Sequence, residues 1–216
     1  MSDELFREVD EEVRQDRYQQ VWKRYGTLLV IAVVAIVGAT VAFVVWRGAQ
    51  ESAREADSTR FLAAVVQEQT QRDTAILQLR DIANDGTPGY RFLASLREAS
   101  LLADAGNTAE AVAVFDSIAA DDDLGASYRD MARLLAVARG MELLGSDEVE
   151  QRLSALNTED NPFRVTAREF LAVSAIRNGN DVQARELLQA NVDDSEAPPA
   201  SRNRAIELLS ALGNLT

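Results

Sequence analysis

Hydrophobic and polar residues follow two different patterns along this chain. Near the N-terminus, the twenty residues 26–45 contain no charged side chain, and twelve of them are Leu, Ile, Val or Phe. As a helix this stretch is about 30 Å long, which matches the hydrocarbon core of a bilayer. From residue 50 onward, apolar residues recur at the spacing of amphipathic helices, without a convincing strand pattern. The sequence therefore predicts an all-α protein with one transmembrane helix.

Aromatic and basic residues mark both ends of the apolar stretch. Trp22, Lys23, Arg24 and Tyr25 precede it, and Trp46 follows it; such residues settle at the headgroup level of a membrane. We therefore assign the span to residues 26–46.

Three alternatives to a span compete with this assignment. A cleaved signal peptide has a shorter apolar core of about 7–15 residues behind a short basic region, whereas 25 mostly polar residues precede this stretch. A lipoprotein requires a cysteine, and the chain has none. A buried core helix is disfavoured because the apolar run is long and uninterrupted.

The basic residues near the span predict its orientation. Five Lys or Arg residues precede it, and Lys23 and Arg24 adjoin it directly, whereas three follow within a similar distance. The positive-inside rule then places residues 1–25 in the cytoplasm, as a short amphipathic tail. Residues 47–216 form a domain on the other side, which in a bacterium is the periplasm.

Small residues form a stripe along the predicted span. Their spacing of 3, 4 and 3 residues places them on one helix face, where another transmembrane helix can approach closely. We expect this stripe to contact a lateral partner, although Ala is common in spans. The stripe consists of Ala32, Ala35, Ala39 and Ala42.

The helices after residue 86 come in pairs that are separated by Gly-containing turns. Gly106, Gly145 and Gly179 are 39 and 34 residues apart, and helix–turn–helix units of about 34 residues are typical of tetratricopeptide repeats. The predicted helices, besides 50–71 and 73–83, are 88–105, 108–120, 126–144, 147–156, 162–178, 181–192 and 199–212.

Small residues are expected where the two helices of each pair cross. The middle pair is degenerate because Glu150 and Ser154 depart from the repeat pattern. A generic helical bundle is the alternative to repeats. The predicted packing residues are Ala99, Ala111, Phe115, Ala138, Ala172, Ala184 and Leu188.

Composition limits the chemistry that the domain can perform. Five of the 22 basic and seven of the 35 acidic side chains precede residue 47, so the domain carries a net charge of −11. Strong acidity disfavours nucleic acid and anionic membrane surfaces as partners. The chain has no His and no Cys, and its one Lys is Lys23 in the tail. We therefore predict no catalytic residue, no metal site, no cofactor and no small-molecule substrate.

The order of tail, span and degenerate repeats resembles the YfgM-like family of bacterial inner-membrane proteins. The tail sequence FREVDEEVRQDRYQQVWKRYG, from Phe6 to Gly26, looks like the tail of alphaproteobacterial members. The resemblance implies an ancillary subunit of the Sec translocon that works with the periplasmic chaperone PpiD on newly exported proteins.

Two other functions remain open at this point. An enzyme would depend on carboxylates such as Asp121, Asp122 and Asp123, or Asp193 and Asp194, which are expected to lie in solvated turns. A scaffold in cell division or wall synthesis shares the architecture of the translocon subunit, and the sequence does not separate these two roles.

Overall fold

The computed structural model describes the backbone of residues 2–213 and the side chains of residues 22–213. Every regular element in this part of the chain is helical, as predicted, and a short 3-10 helix, Ser154–Leu156, follows the sixth α-helix. The α-helices are α1 (Ser2–Gln67), α2 (Arg72–Asp85), α3 (Pro88–Asp104), α4 (Thr108–Ala119), α5 (Ala126–Gly140), α6 (Ser146–Leu153), α7 (Arg164–Arg177), α8 (Asp181–Asp193) and α9 (Pro199–Gly213).

Helix α1 is continuous through three segments that the sequence pattern treats separately. The tail, the predicted span and the predicted helix 50–71 form one helix of 66 residues. No proline occurs before Pro88, and the isolated glycines of α1 do not end it, since a single glycine costs a helix only about 1 kcal/mol. The chain divides into two compact units, Met1–Glu55 and Ala56–Thr216.

In the second unit, consecutive helices from α2 to α9 pack against one another. Three apolar clusters fill it along the series. The first combines Ala64 of α1 with residues of α2, α3 and α4, the second spans α3 to α7, and the third joins α7, α8 and α9. Phe115 of α4, which is fully buried, is the largest side chain of the second cluster. This arrangement, in which each element is buried mainly by its neighbours, is that of a helical solenoid.

Two of the predicted turn glycines close their helices in the same way. Gly106 and Gly179 have φ angles of 84° and 73°, a region that glycine enters without steric cost. After each glycine, the backbone N–H of Asn107 or Asn180 donates to a carbonyl five residues back, at 2.9 and 2.8 Å. These are Schellman motifs, which end a helix and reverse the chain.

The middle pair differs from the prediction at its turn. Gly145 has a φ of −71° and caps the start of α6, where its N–H donates to the Glu148 carboxylate at 3.0 Å. Helix α5 ends at Gly140 instead of residue 144, and α6 has only eight residues. The pair that the sequence marks as degenerate is thus the pair with the shortest helix among the described residues.

Helix starts also shift slightly from the prediction. Helix α7 begins at Arg164, two residues after Pro162, and Asp73 lies in the first turn of α2 instead of capping it. Pro88 and Pro199 occupy the first position of α3 and α9, where a missing N–H costs no hydrogen bond.

Candidate functional site

The apolar stretch of α1 has the properties of a membrane span. Its twelve Leu, Ile, Val and Phe side chains are each 51% to 66% exposed, although burial of such side chains normally stabilises a protein by about 1.5–3 kcal/mol each. Within the described residues, this is the one helix long and apolar enough to cross a membrane. Helix α1 is therefore a candidate membrane span.

The sequence predicts two features of the N-terminal part that could contact partners, the amphipathic tail and the alanine stripe. The apolar face of the tail falls on side chains before residue 22, which lie outside the described residues. The stripe of Ala32, Ala35, Ala39 and Ala42 is exposed on α1, as a surface for a lateral partner must be. Whether it contacts one stays a prediction.

Most of the predicted packing residues lie in the apolar clusters of the second unit. Ala138 is the exception, because it faces solvent. Its neighbours Ala136 and Val137 are fully buried instead. The prediction for Ala138 is wrong because it counted back from Gly145, whereas α5 ends five residues earlier. The residues that are fully buried are Ala99, Ala111, Phe115, Ala172, Ala184 and Leu188.

Ion pairs connect helices that are one repeat apart, a signal that the sequence analysis missed. Arg139 of α5 donates to Asp104 of α3 at 3.0 Å, 35 residues away. Arg204 of α9 binds Glu169 of α7 through two hydrogen bonds of 2.7 and 2.9 Å, again 35 residues away. A common separation for equivalent helices supports repeats over a generic bundle.

A third pair of this kind joins the second helices of two repeats. Arg152 of α6 binds both carboxylate oxygens of Asp116 of α4, 36 residues away, at 3.0 and 2.7 Å. A bidentate geometry fixes orientation as well as distance. This contact helps to hold the short α6 in the series.

The loop between α8 and α9 is held by an ionic cluster. Arg164 donates to both oxygens of Asp194, at 2.7 and 3.0 Å, and Arg168 donates to the same carboxylate at 3.1 Å. The Asp194 side chain is only 9% exposed, so the expectation of a solvated turn is wrong at this residue. The Arg164 guanidinium holds the pKa of Asp194 well below its usual range.

Two acidic residues are buried in the second unit. Glu98 of α3 is 3% exposed and accepts a hydrogen bond of 2.7 Å from Arg80 of α2. Asp57 of α1 accepts a bond of 2.6 Å from the backbone N–H of Thr87, at the start of α3. This bond is the main reason why the pKa of Asp57 is lowered. Both contacts position α3.

The described residues offer little that resembles a catalytic or metal centre. No group of three or more acidic, His or Cys side chains is placed to hold a metal ion in this part of the chain. The carboxylates of Asp57, Glu98 and Asp194 are all bound to arginines or to backbone.

Comparison with known protein families agrees with this architecture. The sequence matches the family described as tetratricopeptide repeat-like domain over residues 19–208. The chain therefore belongs to the tetratricopeptide repeat-like domain family. Comparisons with curated proteins and with solved structures gave no match. Domains of this repeat type are typically protein-interaction modules without catalytic activity.

Proposed function

We propose that this chain is a non-enzymatic scaffold that is tethered to the bacterial inner membrane and assists newly exported proteins. The single observation that carries the proposal is the exposure of the twelve apolar side chains of α1 in a chain whose remaining helices form a repeat domain. An anchor joined to an interaction domain increases the local concentration of partners at one membrane.

The finer proposal is an ancillary subunit of the Sec translocon that works with a PpiD-like chaperone in the periplasm. It is supported by the order of tail, span and repeats, and by the exposed alanine stripe on α1. Helices in lipid associate through close packing, which small residues permit. In this proposal the stripe contacts the translocon and the repeat domain binds the chaperone.

Co-purification from membranes tests both contacts. The full-length chain is isolated in mild detergent and its partners are identified by mass spectrometry. Ala35→Leu with Ala39→Leu keeps the span apolar but blocks close approach, so we expect several-fold less translocon and unchanged chaperone. Val33→Leu with Val37→Leu is the control, because a helical period of 3.6 residues places it on the opposite face of α1.

Two results would contradict the proposal in different ways. Unchanged translocon recovery with the Ala35 and Ala39 variant would remove the stripe as the contact surface. Recovery of cell-division or wall-synthesis proteins by the parent chain, without translocon, would favour the envelope scaffold instead.

A further inference from the structure

Three helix ends and one loop surround a cleft at the edge of the repeat domain. The C-terminal turns of α2 and α4, the N-terminal turns of α3 and the loop 120–125 enclose about 360 Å³. That volume lies at the lower end of the range of about 300–1,000 Å³ for ligand pockets. It suits a short stretch of polypeptide better than a helix or a folded domain.

Part of the lining of the cleft is apolar and partly aromatic. Ile118, Phe92 and Leu124 line it, and Ile118 is 4% exposed. Tyr128 packs edge-on against Phe92, with ring centroids 4.9 Å apart, and remains 52% exposed. These side chains offer a place for one aliphatic side chain of a partner.

Two carboxylates that are available to a partner also line the cleft. Asp121 and Asp123 line the cleft, and neither forms an ion pair with any described residue, whereas Asp122 between them pairs with Arg129. The loop is held by a 3.0 Å bond from the Asp123 N–H to the Asp121 carboxylate. The domain has a net charge of −11, so a cationic group on a partner is attracted both locally and at long range.

Arg91 supplies a hydrogen-bond donor in the same cleft. In residues 56–213 most arginines donate to a carboxylate or a carbonyl. The guanidinium of Arg91 has no such partner among the described residues. This arginine is nevertheless half-buried and lines the cleft. Arg72, which also lacks one, is exposed. Guanidinium groups carry several N–H donors, which peptide carbonyls can accept.

We propose that this cleft binds a short extended segment of a partner polypeptide in which an apolar side chain stands next to a Lys or Arg. The apolar side chain packs on Phe92, Ile118 and Leu124, and the cation faces Asp121 and Asp123. Arg91 donates to the backbone of the segment. The inference rests on the proposed scaffold function and places peptide binding at helix ends instead of along the helix faces.

Synthetic peptides test the proposal on the full-length chain in nanodiscs of neutral phosphatidylcholine. The probe is a fluorescein-labelled nonapeptide with Leu-Lys-Leu at its centre and Gly and Ser elsewhere. One control peptide has Glu in place of Lys, and a second has Ser in place of both Leu residues. We expect a saturable rise in anisotropy for the Leu-Lys-Leu peptide. Each control peptide should bind at least about fivefold more weakly, in line with the loss of one ion pair or one buried side chain.

Variants separate the cleft from the overall charge. Asp121→Asn with Asp123→Asn keeps the loop hydrogen bond and should weaken binding of the Leu-Lys-Leu peptide about fivefold. Asp147→Asn with Asp160→Asn changes the net charge equally at exposed sites away from the cleft and should have no effect. Arg91→Gln removes donors to the peptide backbone and should weaken the Leu-Lys-Leu peptide, and it should weaken the Leu-Glu-Leu peptide more because a positive charge is lost as well.

Three results would overturn the proposal. They are no saturable binding of the Leu-Lys-Leu peptide, equal affinity for the Lys and Glu peptides, or an equal loss of affinity in the Asp121/Asp123 and Asp147/Asp160 variants. These outcomes leave co-purification from membranes untouched. A negative result for peptide binding in the cleft can therefore be distinguished from a negative result for the scaffold function.

Discussion

Gly140 ends α5 at a point where this helix packs tightly against α4. A Cβ atom at this position would lie 2.5 Å from Cγ2 of Val112 and 3.2 Å from Cδ1 of Leu144. Both neighbours belong to the second apolar cluster, so they have little space to move. The absence of a side chain here is a packing requirement of the α4–α5 contact.

We expect Gly140→Ala to destabilise the protein by about 1–3 kcal/mol, the usual cost of overpacking a core. The measurement is thermal unfolding of the full-length chain in detergent, followed by circular dichroism. Gly89→Ala is the control, since a Cβ atom added on this exposed first turn of α3 would meet nothing within 4 Å. If the Gly140 variant unfolds at the same temperature as the parent, α4 and α5 do not pack tightly at this position.

Asp194 shows how one carboxylate can anchor a loop. We expect Asp194→Asn to cost about 1–3 kcal/mol at neutral pH, because it weakens hydrogen bonds from two arginines to a charged acceptor. Asp193→Asn is the control, because the Asp193 carboxylate is exposed and, among the described residues, accepts a hydrogen bond only from Gln189. Denaturant unfolding of parent and variants gives the difference.

The lowered pKa of Asp194 also predicts that its contribution to stability depends on pH. Because the pKa of Asp194 is lowered in the folded state, its contribution is present above the unfolded pKa of about 3.9 and is lost as the pH falls further. The stability difference between the parent and Asp194→Asn should therefore shrink in acid. A difference that stays constant down to pH 2 would contradict the assigned cause.

At the scale of helices, a single turn decides which side chains of a repeat are buried. Gly106 and Gly179 form equivalent Schellman turns, so counting from them locates Ala111 and Ala184 in the core. Gly145 instead caps the start of the next helix, so counting back from it selects Ala138, which lies on the surface. One misassigned turn glycine thus shifts the predicted face of a whole helix.

We expect Ala111→Leu and Ala184→Leu each to lower stability by about 1–3 kcal/mol. Ala138→Leu, the same change on an exposed position of a helix, should stay within about 0.5 kcal/mol of the parent. Thermal melts of the three variants provide the comparison. If Ala138→Leu is as destabilising as the other two, the burial pattern of α5 must be different.

The sequence was most informative where the pattern is long and local. Twenty apolar residues, Pro at helix starts and Gly-Asn turns predicted the span and most helix bounds, because each acts over a few neighbouring positions. The pairing of Arg164 with Asp194, 30 residues away, and the cleft around Arg91 depend on tertiary contacts. No local periodicity encodes them, so the candidate binding site emerged only from the structure.

At the scale of the whole molecule, function depends on which side of the membrane the repeat domain occupies. The flanking charges predict that residues 1–25 are cytoplasmic and residues 47–216 are periplasmic. A domain on the cytoplasmic side would meet nascent chains and not exported ones. The proposed role with a periplasmic chaperone therefore requires this orientation.

The absence of cysteine from the chain allows a direct test of orientation. Ser2→Cys in the tail and Ser154→Cys, which is exposed in the domain, introduce one thiol each. In spheroplasts treated with a membrane-impermeant maleimide, we expect Ser154→Cys to be labelled at once and Ser2→Cys only after detergent is added. The parent chain controls for background, because it has no thiol. Labelling of Ser2→Cys in intact spheroplasts, with Ser154→Cys protected, would reverse the topology and exclude contact with a periplasmic chaperone.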